Sequence, residues 1–345
     1  MLPLSCMYFL ACCPGFFSHG EWQELQMFSD PALKQLCATL PAIALQDRAP
    51  STVRTYLRAF CRWSQWAKSH QLSPLPARGA HVALYVAYLM QTARSASPIN
   101  VAVAAIAWAH EKAGAKDPTS SLLAQQIISG TRRILAAPTK KKQPLSPEEI
   151  RSIISNLITP DTDLATLQTV TLIVLGFCSF LRWDELHRHS RRCLQFFPTH
   201  MSLFIDGRKN DTLREGHWVF VSRTKSTSCP VALLERFLRE GRHTEDQPLF
   251  CKIGRRGTSQ FLRSTAMTYS RARELVLQCL EGIGLDSRNY GLHSLRSGGA
   301  SAAANAGVPD RLFKRHGGWR SEAAKDGYLK ESLSDLLQVS RSIGL

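Results

Sequence analysis

The chain has 345 residues, which at roughly 100 to 200 residues per domain leaves room for two domains with separate cores and excludes a single small module. Lys and Arg total 43 against 27 Asp and Glu, a formal net charge of +16, so a polyanion is the first partner to consider. No stretch of 18 consecutive apolar residues predicts a membrane span. Ten cysteines, scattered singly apart from Cys12 and Cys13, read as reduced thiols rather than as a disulfide framework.

Residues 1–48 carry little pattern beyond a short helix predicted around 31–40. The apolar start, Met1 to Phe17, has no Lys or Arg ahead of its hydrophobic run, which argues against a secretion signal. From Ala49 to His110 there are six basic residues, Arg54, Arg58, Arg62, Lys68, Arg78 and Arg94, and no acidic one. The spacing predicts a helix over 51–68 with Ser51 as N-cap and Val53, Leu57, Phe60 and Ala67 on its apolar face. Arg54, Arg58 and Arg62 fall roughly 100° to 180° away from Val53. A solvated face normally mixes signs, so this single-signed one reads as a phosphate-contacting surface. Helices over 80–94, 98–113 (Ser97 as N-cap, Pro98 in the first turn) and 119–137 complete an all-α domain over 49–137.

The segment 138–144 contains Lys140, Lys141 and Lys142 between Pro138 and Pro144, prolines that cannot continue a helix, and reads as a basic linker. Residues 50–143 hold 13 basic and 2 acidic side chains, against 28 and 21 in 144–345. Charge per residue is therefore about three times higher in the first part.

The second domain, 145–345, opens on the capping box Ser146-Pro147-Glu148-Glu149. Helices are predicted to about 157, over 164–181, 231–239 and 265–281, with strands at 201–206 and 218–222 around the polar turn at Gly207-Arg208-Lys209-Asn210-Asp211. The expected architecture is mainly α with one small sheet. Two motifs stand out. Arg182-Trp183-Asp184-Glu185-Leu186 starts a helix with Arg and Glu three apart, able to hold a guanidinium with a carboxylate behind it. Near the C-terminus, Gly291-Leu292-His293-Ser294-Leu295-Arg296 sets His and Arg on one side of a helical turn, followed by His316-Gly317-Gly318-Trp319 and Gly327-Tyr328. Taken singly, each is an ordinary helix surface or ion pair.

Together, over residues 50 to about 340, these segments resemble the tyrosine recombinase, or phage integrase, family, with 23 residues from Arg296 to Trp319 and 9 from Trp319 to Tyr328. The resemblance implies a SAM-like all-α core-binding domain and a mixed α+β catalytic domain that clamp a DNA duplex. It also implies strand cleavage and rejoining through a 3′-phosphotyrosyl link. Carried onto this chain, Tyr328 is the nucleophile and His293 the proton acceptor. Arg182 and Arg296 hold the phosphate, Trp319 donates from its indole N–H, and Glu185 supports Arg182. The lysine that protonates the departing 5′ oxygen maps onto Lys209, with Lys225 as competitor, and His316 is treated as a neighbour. DNA contacts fall to Arg54, Arg58, Arg62, Lys140, Lys141 and Lys142.

The family implies no cofactor and no metal, and the spacing of His187, His189, Cys193 and His200 fits no common zinc signature. No Gly-rich nucleotide loop is present. The partners expected are double-stranded DNA and three further copies, a homotetramer on two duplexes, with the apolar Leu333, Leu336, Leu337 and Val339 of the tail docking on a neighbour or packing in cis; neither a membrane nor a small-molecule substrate is expected. The fused Gly317-Gly318-Trp319 looks like eukaryotic mobile-element members of the family, hence a nuclear, non-secreted protein. The other readings are a catalytically silent DNA-binding derivative and a type IB topoisomerase.

Overall fold

The structure, a computed structural model, describes residues 16–138, 140–208, 211, 215–330 and 333–343. The chain divides into two compact units, Met1–Thr139 and Lys140–Leu345. In the first unit α1 (Glu21–Leu25) and α2 (Pro31–Ala44) precede α3 (Pro50–Ser69), α4 (Gly79–Met90), α5 (Ser97–Ala113) and α6 (Leu122–Ile134). Helix α3 packs on α5 and α4 on α6, around a core that includes Phe60, Trp63, Val86, Ile99 and Ile106. The early segment contributes to it, because Phe16, Phe17 and Leu45 are buried in the same cluster.

Two buried side chains of this unit bond to backbone. Trp63 Nε1 donates to the Pro74 carbonyl at 3.0 Å. His110 Nδ1 donates to Ile106 O at 2.7 Å and its Nε2 accepts from Ala77 N–H at 2.9 Å, an arrangement that requires the neutral ring. Burial pushes its pKa down in the same sense.

The predicted starts of two helices shift. Helix α3 begins at Pro50 behind Ala49, and α5 at Ser97 behind Ala96, so neither Ser51 nor Ser97 is the N-cap. In each case a proline at the first or second position, with its pre-set φ, determines where the helix begins. Helix α6 is shorter than predicted, and Ser121 caps it through Ala124 N–H.

The second unit is built around α8 (Leu164–Cys178), ten of whose residues are buried. Asp163 caps it by accepting from Ala165 and Thr166 N–H. It is covered by α7 (Pro147–Leu157), which carries the capping box, and by α10 (Pro230–Glu240), α11 (Tyr269–Gly282) and α12 (His293–Asn305). Helix α9 (Trp183–Arg188) follows α8, and α13 (Asp310–Gly317), α14 (Glu322–Asp326) and α15 (Leu333–Arg341) follow α12.

The single sheet expected is in fact two. Strands β1 (Leu194–Phe196), β2 (His200–Ile205) and β3 (His217–Ser222) form an antiparallel sheet, with Met201 opposite Val221 and Leu203 opposite Val219. Strands β4 (Cys251–Arg256) and β5 (Ser259–Ala266) form a separate hairpin. The predicted helix at 265–281 therefore starts later, at Tyr269, after β5 has ended.

Two close approaches bring α12 against its neighbours. Helix α12 presents Gly298 to the Leu145 backbone and Gly299 to the Phe177 carbonyl and the Phe180 ring, where a Cβ at either position would collide. Small residues here let α12 lie against the end of α8. Gly298→Ala should cost about 1–3 kcal/mol through overpacking, read as a lower midpoint in urea unfolding; an unchanged midpoint would show that the approach is not tight.

Candidate functional site

The site grows from the turn after α8. Phe180 lies at φ +50, a left-handed conformation that costs a non-glycine residue roughly 1–2 kcal/mol, and it turns the chain so that Arg182 becomes the N-cap of α9. Glu185 then does two jobs. One carboxylate oxygen accepts from the Arg182 backbone N–H at 2.9 Å and the other from Arg182 Nη1 at 3.0 Å. The three-residue spacing read in the sequence as an ion pair is thus also the N3 position of a cap.

Glu185 is only 2% exposed, and its Oε2 also lies 3.8 Å from Arg296 Nη1. Arg296 is wholly buried. Its Nη1 donates to the Phe180 carbonyl and its Nη2 to the Gly317 carbonyl at 2.8 Å. Its guanidinium carbon sits over the Trp319 ring at 4.5 Å and over the Tyr328 ring at 4.8 Å, and the two rings are 5.6 Å apart. Phe180, Ala300, Phe313 and Trp319 form a small core of their own, with Tyr328 packed against it. The structure therefore brings Arg182, Glu185, Arg296, Trp319 and Tyr328 into one cluster.

His293 stands at the exposed head of α12, one turn before Arg296. Partial desolvation, then the charges of Arg182 and Arg296, push its pKa below the usual histidine range, with Asp184 opposing. The helix N-terminus acts in the same direction. A ring kept neutral at pH 7 is able to take a proton. Burial pulls on Arg182 in the other sense from Glu185 and the Tyr328 hydroxyl, and these partners prevail, raising its pKa. Burial first, then Arg182, push Arg296 down to about 10, still cationic at neutral pH.

The remaining sequence candidates divide. Lys209 lies outside the described residues, and its competitor Lys225 is exposed after β3. In the first unit Arg54, Arg58 and Arg62 are all exposed on α3, opposite buried Val53, Leu57 and Phe60. In the second, Lys140, Lys141 and Lys142 are exposed, and Lys142 Nζ donates to the Arg288 carbonyl at 2.5 Å. Of the tail, Leu336 and Leu337 are exposed; the side chains of Leu333 and Val339 lie outside the described set. His316 serves structure: its Nε2 donates to the Cys178 carbonyl at 2.9 Å and its ring meets Phe180 edge-on at 4.6 Å. His189 has Nδ1 against the Glu185 carbonyl and Nε2 3.0 Å from the Phe204 carbonyl.

Sequence reasoning missed Arg208. It is 8% exposed, its Nη2 donates to the His316 carbonyl at 3.2 Å, and it interacts electrostatically with both Glu185 and Arg182. The only available signal was its position beside Lys209 in a polar turn. The cluster is also poor in acceptors. Among the described residues Arg296 Nε, Trp319 Nε1 and two nitrogens of Arg208 are buried with no hydrogen-bond partner. Buried donors are normally satisfied, so several orphans in one place mark a site for an acceptor-rich anion.

Comparison with known proteins finds one curated relative and several similar folds. No family model matches the chain. A curated relative, described as an integrase/recombinase xerD homolog of Selenomonas ruminantium, is 25% identical over 290 residues, 83% of each chain. Among solved structures, XerH site-specific recombinase in a post-cleavage complex on a palindromic difH substrate superposes with a TM-score of 0.57 at 13% identity, covering 94% of this chain and 89% of that one. The Tn1549 transposon integrase in complex with circular intermediate DNA gives 0.54 at 14% identity, over 88% and 98%. A lambda integrase dimer on a core site gives 0.54 at 12%, over 86% and 94%. These structures share the fold, which is mainly α with a small β component, as the sequence led one to expect.

Because Glu185 is the buried counter-ion for two guanidiniums, Glu185→Gln should destabilise the second unit by about 3–5 kcal/mol, the usual consequence of removing one partner from a buried ion pair. Urea unfolding measures it; a loss below about 1 kcal/mol would mean that the guanidiniums find their compensation elsewhere.

Proposed function

We propose that this chain, a member of the tyrosine recombinase family, is a site-specific DNA recombinase that cleaves and rejoins strands through Tyr328. The observation that carries the reading is the Arg296 guanidinium, which lies over the adjacent Trp319 and Tyr328 rings and shares Glu185 with Arg182. Such an arrangement puts fixed positive charge beside a phenol, which is what attack on a phosphodiester requires.

In the step proposed, the Tyr328 oxygen bonds to phosphorus and the bond from phosphorus to the 5′ oxygen breaks. Neutral His293 takes the phenolic proton. The leaving oxygen is protonated by Lys209, which the sequence pattern assigns. Arg182 and Arg296 stabilise the charge that develops on the non-bridging oxygens, a contribution worth about 10²- to 10³-fold in rate per donor. The phosphotyrosyl link conserves the energy of the broken diester, so a second strand's 5′ hydroxyl reverses the step without ATP.

Double-stranded DNA is the partner, and the curated relative's description and the DNA-bound structural neighbours support that. The exposed basic face of α3 is assigned to backbone phosphates, together with Lys140, Lys141 and Lys142, where contacts fix position rather than sequence. Four copies on two duplexes form the working assembly. It is supported by an apolar cavity of about 540 Å³ in the second unit, lined in part by Phe177, Phe220, Val308 and Phe313, together with the exposed Leu336 and Leu337 of α15. The Gly317-Gly318-Trp319 pattern supports a mobile-element origin and, in a eukaryotic host, a nuclear location.

A duplex carrying a nick just beyond the scissile phosphate tests the reaction, since loss of the short fragment bearing the freed 5′ hydroxyl traps the covalent complex. The wild-type chain should form an adduct that Tyr328→Phe abolishes. An adduct that survives in Tyr328→Phe, or none from the wild type on any element-end duplex, contradicts the proposal and favours a DNA-binding protein without turnover. His293 adds a pH signature. Its lowered pKa keeps it neutral at pH 7, so kcat/KM for adduct formation should be flat near neutrality and fall only as pH drops through a value below 6.5. His293→Gln should remove that acid limb.

A further inference from the structure

The reaction proposed above uses Arg182 and Arg296 and leaves a third buried guanidinium unused. Arg208, in the turn after β2, is 8% exposed, and its Nη2 donates to the His316 carbonyl at 3.2 Å. Among the described residues its Nε and Nη1 are buried without an acceptor. Its guanidinium lies against Gly318, which takes φ +63 and whose missing Cβ leaves the room, since a side chain there would collide with Nη1. The turn leading into Trp319 is thus shaped around Arg208.

A buried cation with orphaned donors is costly and is not kept for stability. The charge count gives a reason. Among the described residues three guanidiniums, Arg182, Arg208 and Arg296, surround one buried carboxylate, Glu185, leaving positive charge in excess. A phosphodiester brings one negative charge, and attack by a tyrosine oxygen raises the charge on its oxygens toward two. Positive charge beyond what the bound diester neutralises favours the transition state over the substrate, the condition for speeding the chemical step rather than merely tightening binding.

We propose that Arg208 is a positioning residue of the anion site: it holds the His316 to Gly318 turn that presents Trp319, and its uncompensated charge is balanced when a phosphate occupies the cluster. The inference rests on the recombinase reading only for the identity of that phosphate.

The test uses the full chain and two variants, Arg208→Met and Arg208→Lys, with inorganic phosphate as probe against chloride at equal ionic strength. The wild type should be stabilised by phosphate beyond the general effect of that salt. Arg208→Met should melt no lower than the wild type in chloride, lose the specific phosphate stabilisation, and cleave nicked duplex about 10²- to 10³-fold more slowly at saturating protein. Arg208→Lys, which restores the charge without the fork, should recover part of both. It also serves if the methionine variant does not fold: a folded lysine variant with wild-type phosphate stabilisation and cleavage overturns the proposal. So does a methionine variant that melts lower while keeping both properties, since that describes a structural residue only. The two readings fail separately. Arg208-dependent phosphate stabilisation without any Tyr328 adduct would sink the recombinase reaction and leave the anion site standing, whereas an adduct formed equally well by Arg208→Met would do the reverse.

Discussion

A single buried carboxylate organises the second unit. Glu185 is 2% exposed, caps the start of α9 through the Arg182 backbone, binds the Arg182 side chain and lies 3.8 Å from Arg296. Burying these charges is expensive, so each neighbouring feature can be understood by how it lowers that cost. The left-handed Phe180 exposes a carbonyl that Arg296 uses, and Gly317 supplies a second. Gly298 and Gly299 let α12 approach closely enough for the contact to form. The Trp319 and Tyr328 rings offer π faces where no further carboxylate is present. The compensation is partial among the described residues, and the remaining positive charge is what the proposal assigns to a phosphate.

Charge is used in two distinct ways along this chain. On α3 the guanidiniums of Arg54, Arg58 and Arg62 stand in solvent on one face, where the phosphate contacts proposed for them would be weak, additive and sensitive to salt. In the cluster around Glu185 the guanidiniums are desolvated and fixed, and each is worth more because the surrounding medium screens less. The net charge of +16 therefore divides into an exposed set, to which the proposal gives retention of a duplex, and a buried set, to which it gives chemistry on one phosphate.

How much of this the sequence revealed follows from the range of the interactions. The Arg182 to Glu185 and His293 to Arg296 pairs are set by helical spacing, so they are legible locally. The convergence of the two pairs with Trp319 and Tyr328 is long-range and was legible only through the intervals of a known family. Strands β4 and β5 escaped notice because Cys251–Arg256 and Ser259–Ala266 are largely polar and exposed along one side, leaving no apolar alternation to read. Ser51 and Ser97 looked like caps, but the neighbouring prolines determine the helix starts. Arg208 was hidden for another reason. A basic residue in a polar turn reads as solvated, and only its burial against Gly318 shows otherwise.

The central claim is that the cluster holds one phosphodiester against the Tyr328 oxygen, and the bond it would leave behind is the most direct evidence. Protein reacted with a nicked duplex, digested with nuclease and protease and mapped by tandem mass spectrometry, should carry a nucleotide phosphate on the peptide containing Tyr328 and on that tyrosine. Modification of a different side chain, or full recovery of the unmodified Tyr328 peptide from cleaved reactions, would contradict the account.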